Sequence, residues 1–474
     1  MAEGPPFPHA SEKDPVLLTP RKLGASLWTG PRRDPAAGPD KEEAVRGRRT
    51  RRPERPDRGG GWTGNEFEVT VGPVAHGGHC VARHEGRVVF VRHSIPGERV
   101  VVRVTEDRHP GFCRADAIEV LEASPARVER PCPYSGPGRC GGCDWQHVDP
   151  AEQRRLKAAV VREQFARLAG LDDVAVTVEE LPGGPLRWRS RARFAVDRSG
   201  APGLRRHRSH DVVVLDDCPI TVEPAAAAVL QRRWPGAGAV DVSIDSTGAV
   251  TTTRLDRRGR PTSSRVVRPG GDLPEEPVGR AERRAGGRDW EVEGTGFWQV
   301  HPAAADALVA AVADFAEARA GETVLDLYSG VGLFGGALAP AVGPGGRVVC
   351  VEADEAACAA AEANLAGLPQ AEVWQGEVDA DGLTELLAEL DTRPDVVVLD
   401  PPRAGAGAAV SRLLAGTGAR AVVYIACDPA ALARDVATFA AAGYRVTAVR
   451  GFDAFPMTSH VECVALLTPV EGSG

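Results

Sequence analysis

Three short stretches near the carboxyl-terminal end hold side chains suited to covalent chemistry. In YIACDPAALARD an apolar run ends at Cys427, and a helix is predicted to begin near Pro429. A thiol in that place feels the positive end of the helix, which favours thiolate and therefore nucleophilic attack. LDPPRAG puts Asp400 at the end of another apolar run, with two prolines fixing the loop beyond it. In FDAFPMTSHVECVALL, Glu462 sits between Val461 and Cys463 at the mouth of an apolar strand. Its carboxyl is expected to be desolvated, with a raised pKa, a state that suits a general base. Cys350 and Cys358 lie inside apolar segments and read as small buried hydrophobes.

A second group could hold a ligand. VLDLYSGVGLFGG carries Gly330-x-Gly332-x-x-Gly335 after an apolar run and before a helical segment, and Glu352 ends the next apolar run. Glycines there let the backbone turn sharply and approach a ligand, and an acid in that position can grip a ribose hydroxyl. The pattern fits NAD and S-adenosylmethionine equally well. A third group is made of cysteines: Cys132-x7-Cys140-x2-Cys143, with Cys218 further on in VLDDCPI. Four thiolates suit a structural zinc or a [4Fe-4S] cluster, and spacing does not decide between them.

The elements that must position these groups follow from patterning. After Gln299 the chain alternates apolar strands (TVLDLY, RVVCVE, AEVWQ, DVVVLD, AVVYIAC, YRVTAVRGF, VECVALLTP) with Ala-rich helical segments. Runs this rich in Val, Leu and Ile predict a mostly parallel seven-stranded α/β sheet buried on both faces. The last two strands have no helix between them and should pair antiparallel. The glycine loop, Asp400 and Cys427 then converge on the carboxyl edge of the sheet, where open α/β sheets bind ligands. Residues 65–121 read as five short strands with glycine-bearing turns, a small barrel. A helix is expected over AEQRRLKAAVVREQFARLAG, followed by a β-rich region to about residue 290 that is interrupted by a loose Arg- and Pro-rich segment, 254–287. The expected divisions are a disordered basic tail over 1–62, the barrel over 63–122, a central cysteine-bearing domain over 123–290 and the α/β domain over 291–474.

Composition bounds the function. Of 474 residues, 43% are apolar and 26% charged, as in a globular chain, and neither a long apolar run nor a charged-then-apolar leader is visible. A cytoplasmic protein with no membrane association is expected. The net charge of -8 hides a division: residues 291–474 carry 9 Lys+Arg against 25 Asp+Glu, whereas residues 63–290 carry 35 against 31 and residues 1–62 carry 13 against 9. An acidic small-molecule domain is compatible with a separate basic surface for a polyanion. RWRSRAR, read as a strand, places Arg187, Arg189, Arg191 and Arg193 on one face as a phosphate grip, with Trp188 and Phe194 in the core.

CDPAALARD, LDPPRAG and FPMTSHVE resemble, in order and spacing, the motifs of the RNA 5-methyluridine methyltransferases of the RumA and TrmA type. Residues 65–121, with GRVVFVRHSIPGE, resemble the TRAM domain, a small RNA-binding barrel of OB-like build. The resemblance implies a class I methyltransferase domain that uses S-adenosylmethionine to methylate C5 of a uridine, with Cys427 as nucleophile and Glu462 as proton acceptor. It implies that Gln299, Tyr328, Glu352, Glu377 and Asp400 contact the cofactor or the uracil, alongside Gly330 and Gly332. It also implies that Cys132, Cys140, Cys143 and Cys218 hold a [4Fe-4S] cluster rather than zinc. Three departures from the family pattern are His301, Leu333 and Glu377, where members carry Asn. The expected substrate is 23S ribosomal RNA, with the T-loop of transfer RNA as alternative, and the enzyme is expected to act as a monomer. Two rivals stand beside this reading. An iron-sulfur Rossmann oxidoreductase would bind NAD(P) in place of S-adenosylmethionine, and a non-catalytic RNA-binding protein would not need Cys427.

Overall fold

The computed structural model describes residues 61–267, 279–294 and 296–470. Most of the expected basic tail therefore lies outside the described residues. Among the described residues, no helix is long and apolar enough to cross a membrane.

Strands Glu66–Thr70, Cys80–His84, Arg87–Arg92, Arg99–His109 and Phe112–Glu122 form the five-stranded sheet of the barrel. Alternation explains it: Val100, Val102 and Val104 are buried inward, while Arg99 and Arg103 point outward and pair with Glu68, Glu122 and Glu66 on neighbouring strands. Register shifts between the two long strands bend them around that core.

A second sheet is six-stranded and antiparallel, in the order Pro261–Val267, Val250–Leu255, Ala239–Ile244, Arg191–Val196, Pro202–Arg205, Val212–Val214. The segment expected to be loose is thus partly strand, since Pro261–Val267 and Arg280–Ala285 both pair. The four-arginine face does not form. The strand begins only at Arg191, and Arg187 has a left-handed backbone, φ 57°. Arg187 pairs with Asp217 at 2.6 Å and Arg193 with Asp241 at 2.6 Å, so two of the four guanidiniums already have carboxylates. Trp188 and Phe194 are in the core as expected.

The main sheet has eight strands, not seven. Its order is Ala371–Gln375, Arg347–Glu352, Thr323–Leu327, Val396–Leu399, Ala421–Ala426, Glu462–Pro469, Tyr444–Phe452, Thr177–Glu179. The first five are parallel, and Glu462–Pro469 runs antiparallel between Ala421–Ala426 and Tyr444–Phe452. The eighth strand comes from the region expected to be a separate domain. Helix Pro150–Gln164 and the π-helical turn Phe165–Ala169 pack on one face with the helices Ala408–Gly416 and Pro429–Ala441. On the other face the hairpin Arg280–Ala285 and Arg288–Glu293 packs with helices Ala304–Ala316 and Leu333–Val342. Both pieces bury apolar surface against the α/β sheet, so the boundary expected at residue 290 is crossed twice, while Leu156 and Val160 of the helix also pack on Val74, Ile95 and Trp145.

Candidate active site

Parallel strands all end on one edge, and that edge collects the first part of the site. The turn after Thr323–Leu327 uses left-handed backbone at Tyr328 (φ 59°), Gly330 (φ 55°) and Gly332 (φ 85°) before helix Leu333–Val342. The Gly330 N–H donates to Glu352 Oε2 at 2.9 Å, while Ala353 and Asp354 N–H donate to Glu352 Oε1. Space above Gly330 is open for 4 Å. Gly335 serves packing instead: its N–H donates to Asp326 Oδ2 at 2.7 Å, and a Cβ there would fall 2.3 Å from Cys350 Sγ. Asp326 is fully buried, and burial followed by the Asp400 and Glu352 charges pushes its carboxyl up to about 7. It thereby joins the glycine-loop group to the reactive group. The Tyr328 hydroxyl donates to Val378 O at 3.0 Å and stands within electrostatic reach of Glu377. Gln299 is buried further along, in a segment tethered where the Ser190 hydroxyl donates to Val300 O at 2.8 Å.

The second part is made by the antiparallel insertion. Ala426 pairs with Cys463, which sets Cys427 and Glu462 side by side at the same edge. Glu462 is buried, and its carboxyl is held well above its usual range, first by desolvation and then by Asp400, with the exposed Arg403 opposing. Desolvation also pushes Asp400 up to about 7. Cys427 departs from the expected thiolate. Burial, then the Glu462 and Asp400 carboxyls, outweigh Arg403 and push the thiol up to about 11. The helix dipole is a weaker influence than two nearby carboxyls in a desolvated setting. Burial at this edge therefore favours the protonated forms of Cys427 and Glu462.

Several supporting residues carried no signal of their own in the sequence. Asp435 accepts from the Tyr424 hydroxyl at 2.6 Å and from Ala406 N–H at 2.8 Å, fixing the loop after Asp400 to the helix after Cys427. Asp435 closes the CDPAALARD motif, so that motif was its only pointer. The loop before Glu462 is held from the cysteine-bearing region: Asp144 and Trp145 N–H donate to Met457 O at 3.1 and 3.0 Å, Met457 N–H donates to Gln153, and Ser459 Oγ donates to Asp144 at 3.2 Å.

Cys132, Cys140, Cys143 and Cys218 carry free thiols, three buried and Cys140 half-buried. The thiols of Cys132, Cys140 and Cys143 are pushed up, first by burial and further by the charge on one another and on Cys218, which places the four sulfurs in one neighbourhood. Among the described residues, no three or more His, Cys, Asp or Glu side chains stand in a ready metal-binding arrangement. The donor chemistry, four free thiols of which three are buried, suits a thiolate-held zinc or iron-sulfur group alike.

Comparison with known proteins gives a consistent picture. Residues 63–118 match the TRAM domain, and residues 288–470 match the family described as tRNA (Uracil-5-)-methyltransferase. An RNA methyltransferase of Streptomyces coelicolor is 48% identical over 437 residues, covering 86% of this chain and 93% of that protein. The 23S rRNA (uracil(1939)-C(5))-methyltransferase RlmD of Chromohalobacter salexigens is 33% identical, covering 93% of this chain and 95% of that one. The structure of the Pyrococcus abyssi tRNA (uracil-54, C5)-methyltransferase in complex with S-adenosyl-L-homocysteine shares the fold, with a TM-score of 0.63 at 23% identity over 85% of this chain and 99% of that one.

Proposed function

Because this chain belongs to the tRNA (uracil-5-)-methyltransferase family and is an S-adenosylmethionine-dependent RNA uracil-C5 methyltransferase, we propose that Cys427 is its nucleophile, Glu462 its base and 23S ribosomal RNA its substrate. The observation that carries the assignment of roles is the pairing of Ala426 with Cys463, which brings the thiol and the carboxyl to one point beside Asp400.

Uracil C5 is too weak a nucleophile to be methylated directly. Addition of the Cys427 thiolate to C6 breaks the C5–C6 double bond and makes C5 enolate-like, so that C5 can attack a methyl group. When bound, S-adenosylmethionine supplies that electrophilic methyl and a positive sulfonium, which favours thiolate at Cys427 and carboxylate at Glu462. The residues suited to hold it are Gly330, Gly332, Glu352, Tyr328, Gln299 and Asp400. The open space over Gly330 and the carboxyls of Glu352 and Asp400 at the strand ends suit a cation with a ribose. Glu462 then takes the C5 proton, the C5–C6 double bond re-forms and the Cys427 sulfur leaves C6. Groups act on both faces of the base, which requires the uridine to be flipped out of its stack.

Ribosomal RNA is favoured by the named activity of the 33% identical relatives, and transfer RNA is the second reading because that is the named substrate of the P. abyssi protein. The four cysteines are assigned to a [4Fe-4S] cluster, with zinc as the competing occupant. The enzyme is taken to act as a monomer, and an RNA-modifying role supports a cytoplasmic location. Mapping 5-methyluridine in 23S ribosomal and transfer RNA from a deletion strain tests the substrate. Loss confined to transfer RNA would overturn the ribosomal assignment.

A further inference from the structure

The barrel's loop between Val74 and Cys80 reaches into the reaction centre. It is folded back on itself by Ala75 N–H donating to His79 O at 2.8 Å and Gly78 N–H donating to Ala75 O at 3.0 Å. Trp145 Nε1 donates to Gly78 O at 3.0 Å, and a Cβ on Gly78 would fall 2.5 Å from Ser459 Cβ, so the loop lies flat against the segment that leads to Glu462. From the same loop His76 Nε2 stands 3.1 Å from Asp428 Oδ2. Asp428 directly follows Cys427, and its other oxygen, Oδ1, accepts from Ala431 N–H at 2.8 Å as the cap of helix Pro429–Ala441.

The Asp428 carboxylate is thus held from two sides, by the helix N-terminus (Ala430 and Ala431 N–H) and by the barrel through His76 on Oδ2. The two contacts together define the rotation of the Asp428 side chain and the peptide that joins it to Cys427. We propose that His76 is a positioning residue for the Cys427 nucleophile, acting through Asp428, so that the barrel that engages RNA also sets the sulfur against uracil C6. A loop contributed by a different sheet can hold this turn more rigidly than the helix cap alone, because the cap leaves the Asp428 carboxylate free to swing about its bond to Oδ1. The inference rests on the reading of Cys427 as nucleophile.

The experiment uses the full-length enzyme with S-adenosylmethionine and total RNA from a deletion strain, and measures single-turnover methyl transfer separately from RNA affinity. Ser caps helices well but is too short to reach His76, so Asp428→Ser removes the histidine contact while keeping the cap. His76→Ala and Asp428→Ser are each expected to slow methyl transfer by about 10- to 100-fold with RNA affinity unchanged. The double variant should be no slower than the slower single, because both remove one interaction. His76→Gln, which restores a donor, should recover most of the rate. Weakened RNA binding with an intact transfer rate in His76→Ala would make His76 an RNA contact and overturn the proposal, as would losses that multiply in the double variant. Cys427→Ala run in parallel separates the two readings: retained methylation there defeats the nucleophile assignment, whereas its loss beside a normal His76→Ala defeats only the positioning role.

Discussion

Lys157 Nζ lies 2.5 Å from Asp453 Oδ1, with the lysine wholly buried and the aspartate nearly so. The same ammonium donates to Phe455 O at 3.0 Å. Helix Pro150–Gln164 is thereby pinned to the segment between the last two strands of the main sheet, nine residues before Glu462. Lys157→Met would strand the Asp453 carboxylate in the interior, and a destabilisation of about 3–5 kcal/mol is expected from denaturant unfolding. Adding Asp453→Leu to that variant should recover part of the loss. Equal stability of Lys157→Met and the parent would show that water reaches the pair.

The two reactive side chains should fail in different ways. Cys427→Ala is expected to abolish both turnover and any covalent bond to RNA, because C5 is never activated without addition at C6. In Glu462→Gln the addition and the methyl transfer can proceed while the C5 proton stays, so a methylated protein–RNA adduct should accumulate on a denaturing gel. RNA containing 5-fluorouridine should trap the parent enzyme likewise, since fluorine cannot leave as a cation. Normal turnover by Glu462→Gln would remove it from the base role.

Thiol chemistry offers a pH test. With the Cys427 thiol pushed up to about 11, alkylation of Cys427 in the free protein should rise about tenfold per pH unit through the range 8 to 10. Asp400→Asn removes one of the charges that raise it and should quicken alkylation at pH 8 several-fold. Mass spectrometry of the Cys427 peptide reads the rate, and a plateau already reached at pH 8 would contradict the assigned environment.

Acid stability should be governed by histidines at the junction of barrel and cysteine-bearing region. Burial first, and neighbouring cationic groups second, push His93 down to about 2 and His147 down to about 3. Both are buried, and neither ring nitrogen of His93 has a partner. The folded-state values lie below the unfolded value of about 6.5, so the unfolded chain binds more protons as the pH falls below that point. Stability from these groups is complete above about pH 6.5 and is lost progressively toward pH 3. Melting temperatures between pH 7.5 and 5 should decline, and the decline should flatten in His93→Gln.

Protein purified without oxygen should be brown and carry about four iron atoms per chain, the stoichiometry of a [4Fe-4S] cluster. Cys143→Ser should lose the colour and the iron. Because Asp144 and Trp145 hold Met457, the same variant should also loosen the segment before Glu462, seen as faster amide exchange there. Colourless protein with one zinc per chain would replace iron in this site and leave the methyltransferase assignment untouched.

Sequence alone determined whatever depends on neighbouring residues. Apolar runs alternating with helical segments specify a parallel sheet, and a parallel sheet puts every strand end on one edge, so the glycine loop, Asp400 and Cys427 were legible together. The barrel strands were legible for the same reason, through the period-two burial of Val100, Val102 and Val104. Tertiary structure decided what depends on partners far along the chain. Lys157 and Asp453 are 296 positions apart, and Asp144 and Ser459 are 315 apart, and periodicity carries no information about such pairs. The eighth strand, Thr177–Glu179, is three residues long and has too little pattern to be assigned to a sheet until Tyr444–Phe452 offers it an edge. Cys427 shows the division within one residue. Its place before a helix was visible locally and argued for thiolate, but burial and the approach of Glu462 and Asp400 set the opposite direction, because desolvated charge from distant segments outweighs a helix end.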